Sequence, residues 1–128
     1  MAKTAVVFAG EVNALANNTL VSKRISSPFT VTHVTVSFPL NQNREVDVKI
    51  FISPDSNVET ATDPQGFNIL QEYGQVDYLH GDGEQLNVPV HVPFRQSGAY
   101  LKMYMVNNDN FKHKIFGIVT IETHQKGV

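Results

Sequence analysis

The sequence predicts an all-β protein, an antiparallel two-sheet β-sandwich of jelly-roll-like character with about eight strands. Three observations carry this. Apolar residues recur at every second position through most of the chain, and helical periodicity is almost absent. Turn residues interrupt the alternating runs at Asn17-Asn18, Ser27-Pro28, Pro39-Leu40-Asn41, Gly81-Asp82-Gly83 and Asn107-Asn108-Asp109-Asn110. The 128 residues suit one such domain, residues 1–128, with a single core and no cysteine to staple it.

The elements follow in order. Residues 4–12 form a first, weaker strand, and residues 1–12 also suit an extended arm or a swapped strand. Residues 19–25 are a second weak strand. Residues 30–38 are rich in β-branched side chains, but Val31 is out of phase with Val34, Val36 and Phe38. A bulge or a change of sheet is therefore expected near Thr32-His33. Residues 45–52 alternate most clearly. Val46, Val48, Ile50 and Ile52 face one way and Glu45, Asp47 and Lys49 the other, with Phe51 the exception. A long polar loop, 53–66, carries Pro54 and Pro64.

Residues 67–79 make another weak strand, broken at Gly74. In 85–92, Leu86, Val88, Val90 and Val92 point inward, and Pro89, lacking an N–H, requires an edge or a bulge. Residues 99–106 are apolar on both faces: Leu101, Met103 and Met105 on one, Tyr100, Tyr104 and Val106 on the other. That pattern fits a central strand or one whose outer face meets a partner. In 115–123, Ile115, Val119 and Ile121 oppose Phe116 and Ile118. The last two runs read as paired strands joined by 107–114. Segment 10–17 is too short and too poorly patterned for a helix.

Composition excludes several function classes. The chain is 41% hydrophobic and 17% charged, with a net charge of -2, so it has no electrostatic footprint for nucleic acid. Without cysteine there is no thiol nucleophile and no zinc thiolate. One lysine precedes a short apolar run that ends at Gly10 and Glu11. This is too little for a signal peptide or a membrane span, so synthesis in a cytoplasm and no membrane partner are expected.

Candidate sites weigh toward structure. Asp55, Asn57 and Glu59 begin like a calcium loop, but the mid-loop glycine is missing and Gly66 stands where a bidentate glutamate belongs. Asp77, His80, Asp82 and Glu84 cluster closely enough to hold a cation, yet Asp82-Gly83 is among the strongest hairpin-turn signals, needs no ligand, and is the reading preferred. His33, His80, His91, His113 and His124 have no metal-ligand spacing, and no nucleophile elbow or phosphate loop is present. No catalytic residue, metal or cofactor is assigned, and the protein is expected not to be an enzyme.

Tyr73, Tyr78, Phe94, Tyr100, Tyr104 and Phe111 are the aromatics to watch at the surface. The candidate contact residues are Tyr78, His80, Asp82, Tyr100, Tyr104, Asn108, Asp109 and Phe111. Turn chemistry accounts for the Asn-Asn-Asp-Asn stretch without a ligand, but not for Phe111.

Four stretches, ISSPFTVTHVTVSFP, VDVKIFISPD, GDGEQLNVPVHV and YLKMYMVNNDNFKHKIFGIVTIE, together spanning about residues 25 to 123, carry a resemblance. In strand order, turn character and composition the chain resembles small jelly-roll virion proteins of bacteriophages, including capsid decoration or cement proteins. The resemblance implies a virion protein without enzymatic activity that decorates or stabilises a capsid. It further implies a homo-oligomer such as a trimer, seated on a lattice of major capsid protein, with residues 4–12 as an arm that pairs with a neighbour's sheet. A carbohydrate- or receptor-binding β-sandwich is the alternative, with 77–84 and 107–113 as its contact edge.

Overall fold

The computed structural model describes residues 2–41, 45–58, 64–70, 78–95 and 98–123. The described residues contain eight strands and no helix: β1 (Ala2–Val12), β2 (Asn17–Val21), β3 (Phe29–Phe38), β4 (Val46–Ser53), β5 (Phe67–Asn68), β6 (Glu84–Phe94), β7 (Tyr100–Asn107) and β8 (His113–Thr123). They form two antiparallel four-stranded sheets, ordered β1-β8-β3-β6 and β2-β7-β4-β5. Among the described strands, only β4 and β5 are consecutive in the same sheet; the other successive pairs lie in opposite sheets. This is the jelly-roll arrangement.

Alternation in sequence becomes inside and outside. From the first sheet, Phe8, Val12, Val34, Val36, Ile115 and Val119 are buried. They meet Val46, Val48, Ile50, Leu101, Met103 and Met105 of the second. Each such side chain contributes roughly 1.5–3 kcal/mol on leaving water. Gly117 lies on the inner face of β8, and a Cβ there would sit 2.6 Å from Met103 Sδ. A glycine at that point lets the methionine of the opposite sheet fill the space.

The bulge falls where expected, with the register of β3 shifting between Val31 and His33 against both β6 and β8. Pro89 pairs opposite His33 on β6, which is an edge strand, so its missing N–H costs no ladder bond. Strand β7 is central, between β2 and β4. Its outer face is covered by its own chain: Lys102 is fully buried, and its Nζ donates to Asp55 Oδ1 (3.0 Å) and the Asn57 carbonyl (2.6 Å). Residues 55–57, just after β4, are thus held over the sheet.

Three expectations are corrected. β7 and β8 are not paired; they belong to opposite sheets and face each other across the core. Gly81-Asp82-Gly83 is a turn into β6 rather than the tip of a hairpin, with Gly83 at φ 62° and its N–H donating to the Pro39 carbonyl. Of the described residues in the run 67–79, only Phe67–Asn68 is strand, and Leu79 makes an isolated bridge to Val48. Gly74 lies outside the described residues. β1 is hydrogen-bonded along its whole length to β8 of the same chain.

Candidate functional site

Strand directions bring residues 13–16, 39–41, 45, 78–83 and 108–112 to one end of the sandwich. Main-chain bonds knit them together: Leu15 N–H to the Asp109 carbonyl (3.0 Å), Asn107 N–H to that of Ala16 (2.8 Å), and Asn108 N–H to that of Glu45 (2.9 Å).

At the centre lies Asn107, 1% exposed, the last residue of β7. Its Nδ2 donates to the carbonyls of Phe111 (2.7 Å), Asn13 (3.2 Å) and Val12 (3.3 Å). Its Oδ1 accepts the Asp109 N–H at 2.9 Å. One side chain therefore ties the end of β1 to the β7–β8 connection. Asp109 Oδ2 meets His113 Nε2 at 2.8 Å, and its Oδ1 accepts the Asn110 N–H at 2.6 Å. The hydrogen bond from His113, then that from Asn110, holds the Asp109 carboxyl below the usual carboxylate range. Asn107, Asp109 and His113 thus direct their polar atoms at the protein itself, and their chemistry is to set the shape of the loop.

What this hub leaves outside is apolar. Phe111 and Leu15 are 70% and 69% exposed, and Leu15 has a φ of 54°, a left-handed conformation that is costly for a non-glycine residue. Across the same end, the Tyr78 and His80 rings meet edge to face at 5.4 Å, and His80 Nδ1 lies 3.7 Å from Asp47 Oδ1. Burial pushes the Asp47 carboxyl up, and His80 partly opposes this. Asp82 donates its N–H to Glu84 Oε1 at 3.3 Å.

The candidate residues thus divide. Tyr78, His80, Asp82, Asn108, Asp109 and Phe111 share one end. Tyr100, half-buried and paired with Ser53, lies at the opposite end. Tyr104 is buried, its hydroxyl accepting from Asn17 Nδ2 at 2.7 Å, and offers no contact surface. Phe94 stacks on Phe29 at 5.4 Å, and Tyr73, Asp77, Glu59 and His124 lie outside the described residues. No group of three or more His, Asp or Glu is placed to hold a metal ion among the described residues.

No family model matches the chain, and no curated protein matches it. Solved structures do. The K3 cleaved adhesin domain of Lys-gingipain from Porphyromonas gingivalis is similar over 93% of this chain and 74% of its own, with a TM-score of 0.50 and 16% identity. Viral capsids are also among the neighbours. The naturally occurring empty particle of cowpea mosaic virus covers 98% of this chain and 87% of its own (TM-score 0.47, 9% identity). Infectious bursal disease virus, Gx strain, covers 98% and 33% (TM-score 0.49, 9% identity). At such identities the likeness concerns the fold alone.

Sequence reasoning missed a second surface. On the outer face of the first sheet, Val7, Phe116 and Ile118 are exposed, and Val7 pairs opposite Ile118. The signal was present in the alternation of 115–123, where both faces are apolar.

Proposed function

We propose that the protein is a structural and interaction protein without enzymatic activity, a phage virion protein that decorates or stabilises a capsid. The observation that carries this reading is the exposed apolar band of Val7, Phe116 and Ile118, on a sheet face that runs to the edge strand β1. Contiguous apolar surface on a small domain marks a place where another protein sits. The loop end, with Phe111 and Leu15 held outward over a rigid hub, supports a second contact of the same kind. In this reading the partners are further copies of the chain, as a trimer or a lattice, and a major capsid protein beneath them. Light scattering of the purified chain, alone and with capsid shells, tests it. Oligomers or shell-bound protein are expected, and a strict monomer that stays off every shell refutes it.

One observation favours a second reading, a carbohydrate- or receptor-binding module. The edge-to-face Tyr78 and His80 lie beside Asp47 at the loop end, an aromatic surface next to hydrogen-bonding groups. A glycan array that stays blank with and without calcium removes it.

A further inference from the structure

We infer that two copies of this chain join through β1, strand edge to strand edge across a two-fold axis at Val7. The inference deepens the reading of the protein as a self-associating module and names the surface that does it.

Among the described residues the two sheets have four edge strands, and three of these are blunted. β2 spans five residues, β5 spans two, and β6 carries Pro89 and Pro93. Short edges and prolines are the ordinary means of preventing strands from pairing between molecules. β1 spans eleven residues with no proline, and it pairs with β8 on one side only. At the solvent-facing positions its sequence reads Lys3, Ala5, Val7, Ala9, Glu11, all exposed.

That series is complementary to itself when reversed. An antiparallel partner centred on Val7 sets Lys3 against the partner copy's Glu11, Ala5 against its Ala9, and Val7 against its own equivalent. The same register is the one that pairs Ala2–Val12 over its full length. Shifting it by two residues would leave a charge against an alanine. The neighbouring strand extends the match, because β8 sets Glu122 beside Lys3 and Lys114 beside Glu11. Across four strands each rim would alternate acidic, basic, acidic, basic, and opposite charges in cross-strand positions stabilise a sheet. Between the rims, Val7 and Ile118 of both copies would make one apolar row, flanked by Phe116.

The main chain would supply on the order of ten hydrogen bonds along this ladder. The Glu11 carbonyl already accepts Asn18 Nδ2 at 2.8 Å, a bond the two ends of the ladder would share. The pairing is isologous and closes on itself. Within a trimeric lattice it would be the contact between trimers.

Sedimentation velocity on the full chain tests this. The wild type should reversibly form dimers or larger species built from them. Val7→Lys sets two lysines against each other on the axis, on a side chain that faces solvent in the single chain. It should weaken association by at least about tenfold while leaving the circular dichroism and melting temperature unchanged. Lys3→Glu alone and Glu11→Lys alone each create like-charge pairs and should weaken it similarly. An equimolar mixture of those two variants restores both oppositely charged pairs and should recover association as a heterodimer. Three results would overturn the inference: a wild type that is monomeric at about 100 μM, a Val7→Lys protein that associates as the wild type does, or a mixture no better than either variant. If association survives Val7→Lys, the module reading stands without this edge; a monomer that binds no lattice removes both.

Discussion

Replacing Asn107 by alanine should be among the most damaging single changes outside the apolar core. The side chain has two amide protons and three carbonyl acceptors, so the Phe111 carbonyl at 2.7 Å takes one proton and those of Asn13 and Val12 share the other. The Asp109 N–H adds a third effective bond at 2.9 Å. At about 1 kcal/mol net each, the loss is about 3 kcal/mol, and more if the orphaned groups stay buried. Domains of this size have roughly 5–15 kcal/mol in total. With a urea slope of about 2 kcal/mol per molar, the midpoint should fall by about 1.5 M. Asn107→Asp keeps the size and the acceptor but sets a carboxylate against carbonyl oxygens, so it should be at least as harmful. Asn108→Ala, next door but exposed, should change stability by less than about 0.5 kcal/mol. An Asn107→Ala protein within about 1 kcal/mol of wild type, at unchanged slope, would refute the assignment of Asn107 as the hub.

Gly117→Ala should cost about 1–2 kcal/mol by pressing a methyl group on Met103 Sδ, and a thermal melt of Gly117→Ala with Met103→Leu should show the two changes to be non-additive. Lys102→Met keeps the buried stem but loses the bonds to Asp55 and Asn57, so hydrogen exchange should quicken at the Asn57 amide, which donates to Asp55 Oδ1. Acid should destabilise through Asp109 and Asp55, held low by His113 and by Lys102 respectively. A lowered folded pKa gives stability that is present above the unfolded value of about 3.9 and lost as pH falls through the folded one. Asp109→Asn should therefore flatten the acid limb of a stability–pH curve below about pH 4. Asp47, raised by burial, has the opposite sign, and Asp47→Asn should leave stability at neutral pH unchanged or higher.

Local features were legible in the sequence because their causes are local. An out-of-phase Val31 announces the bulge at His33, and a proline in an alternating run announces an edge strand. Strand pairing is not local. Residues 100–107 and 113–123 look like a hairpin because each alternates and a turn sequence lies between, yet the same pattern serves strands that face each other across a core. The doubly apolar β7 had two readings, and the structure chose the central one. The deciding contact, Lys102 with Asp55 and Asn57, joins residues far apart in sequence. The loop site was half legible for the same reason. The four polar residues after Val106 do make a turn, but the asparagine that matters is the one whose amide reaches back to Val12 and Asn13, and no spacing rule points to it.

That reach gives the exposed Phe111 a physical meaning. A mobile loop would let an exposed ring fold down onto the protein and leave water, since burying a phenylalanine is favourable by roughly 1.5–3 kcal/mol. Here the Phe111 carbonyl is bonded to Asn107, the preceding turn is closed by Asp109 and His113, and the Leu15 N–H is bonded to the Asp109 carbonyl. The backbone on either side of the ring is held in place, and so is the left-handed Leu15 beside the turn. A buried polar network thus keeps two large apolar side chains in water at one end of the molecule, while β1 keeps a third, Val7, at one edge. Both surfaces stand on hydrogen-bonded backbone, so a partner would meet them with little further loss of backbone entropy.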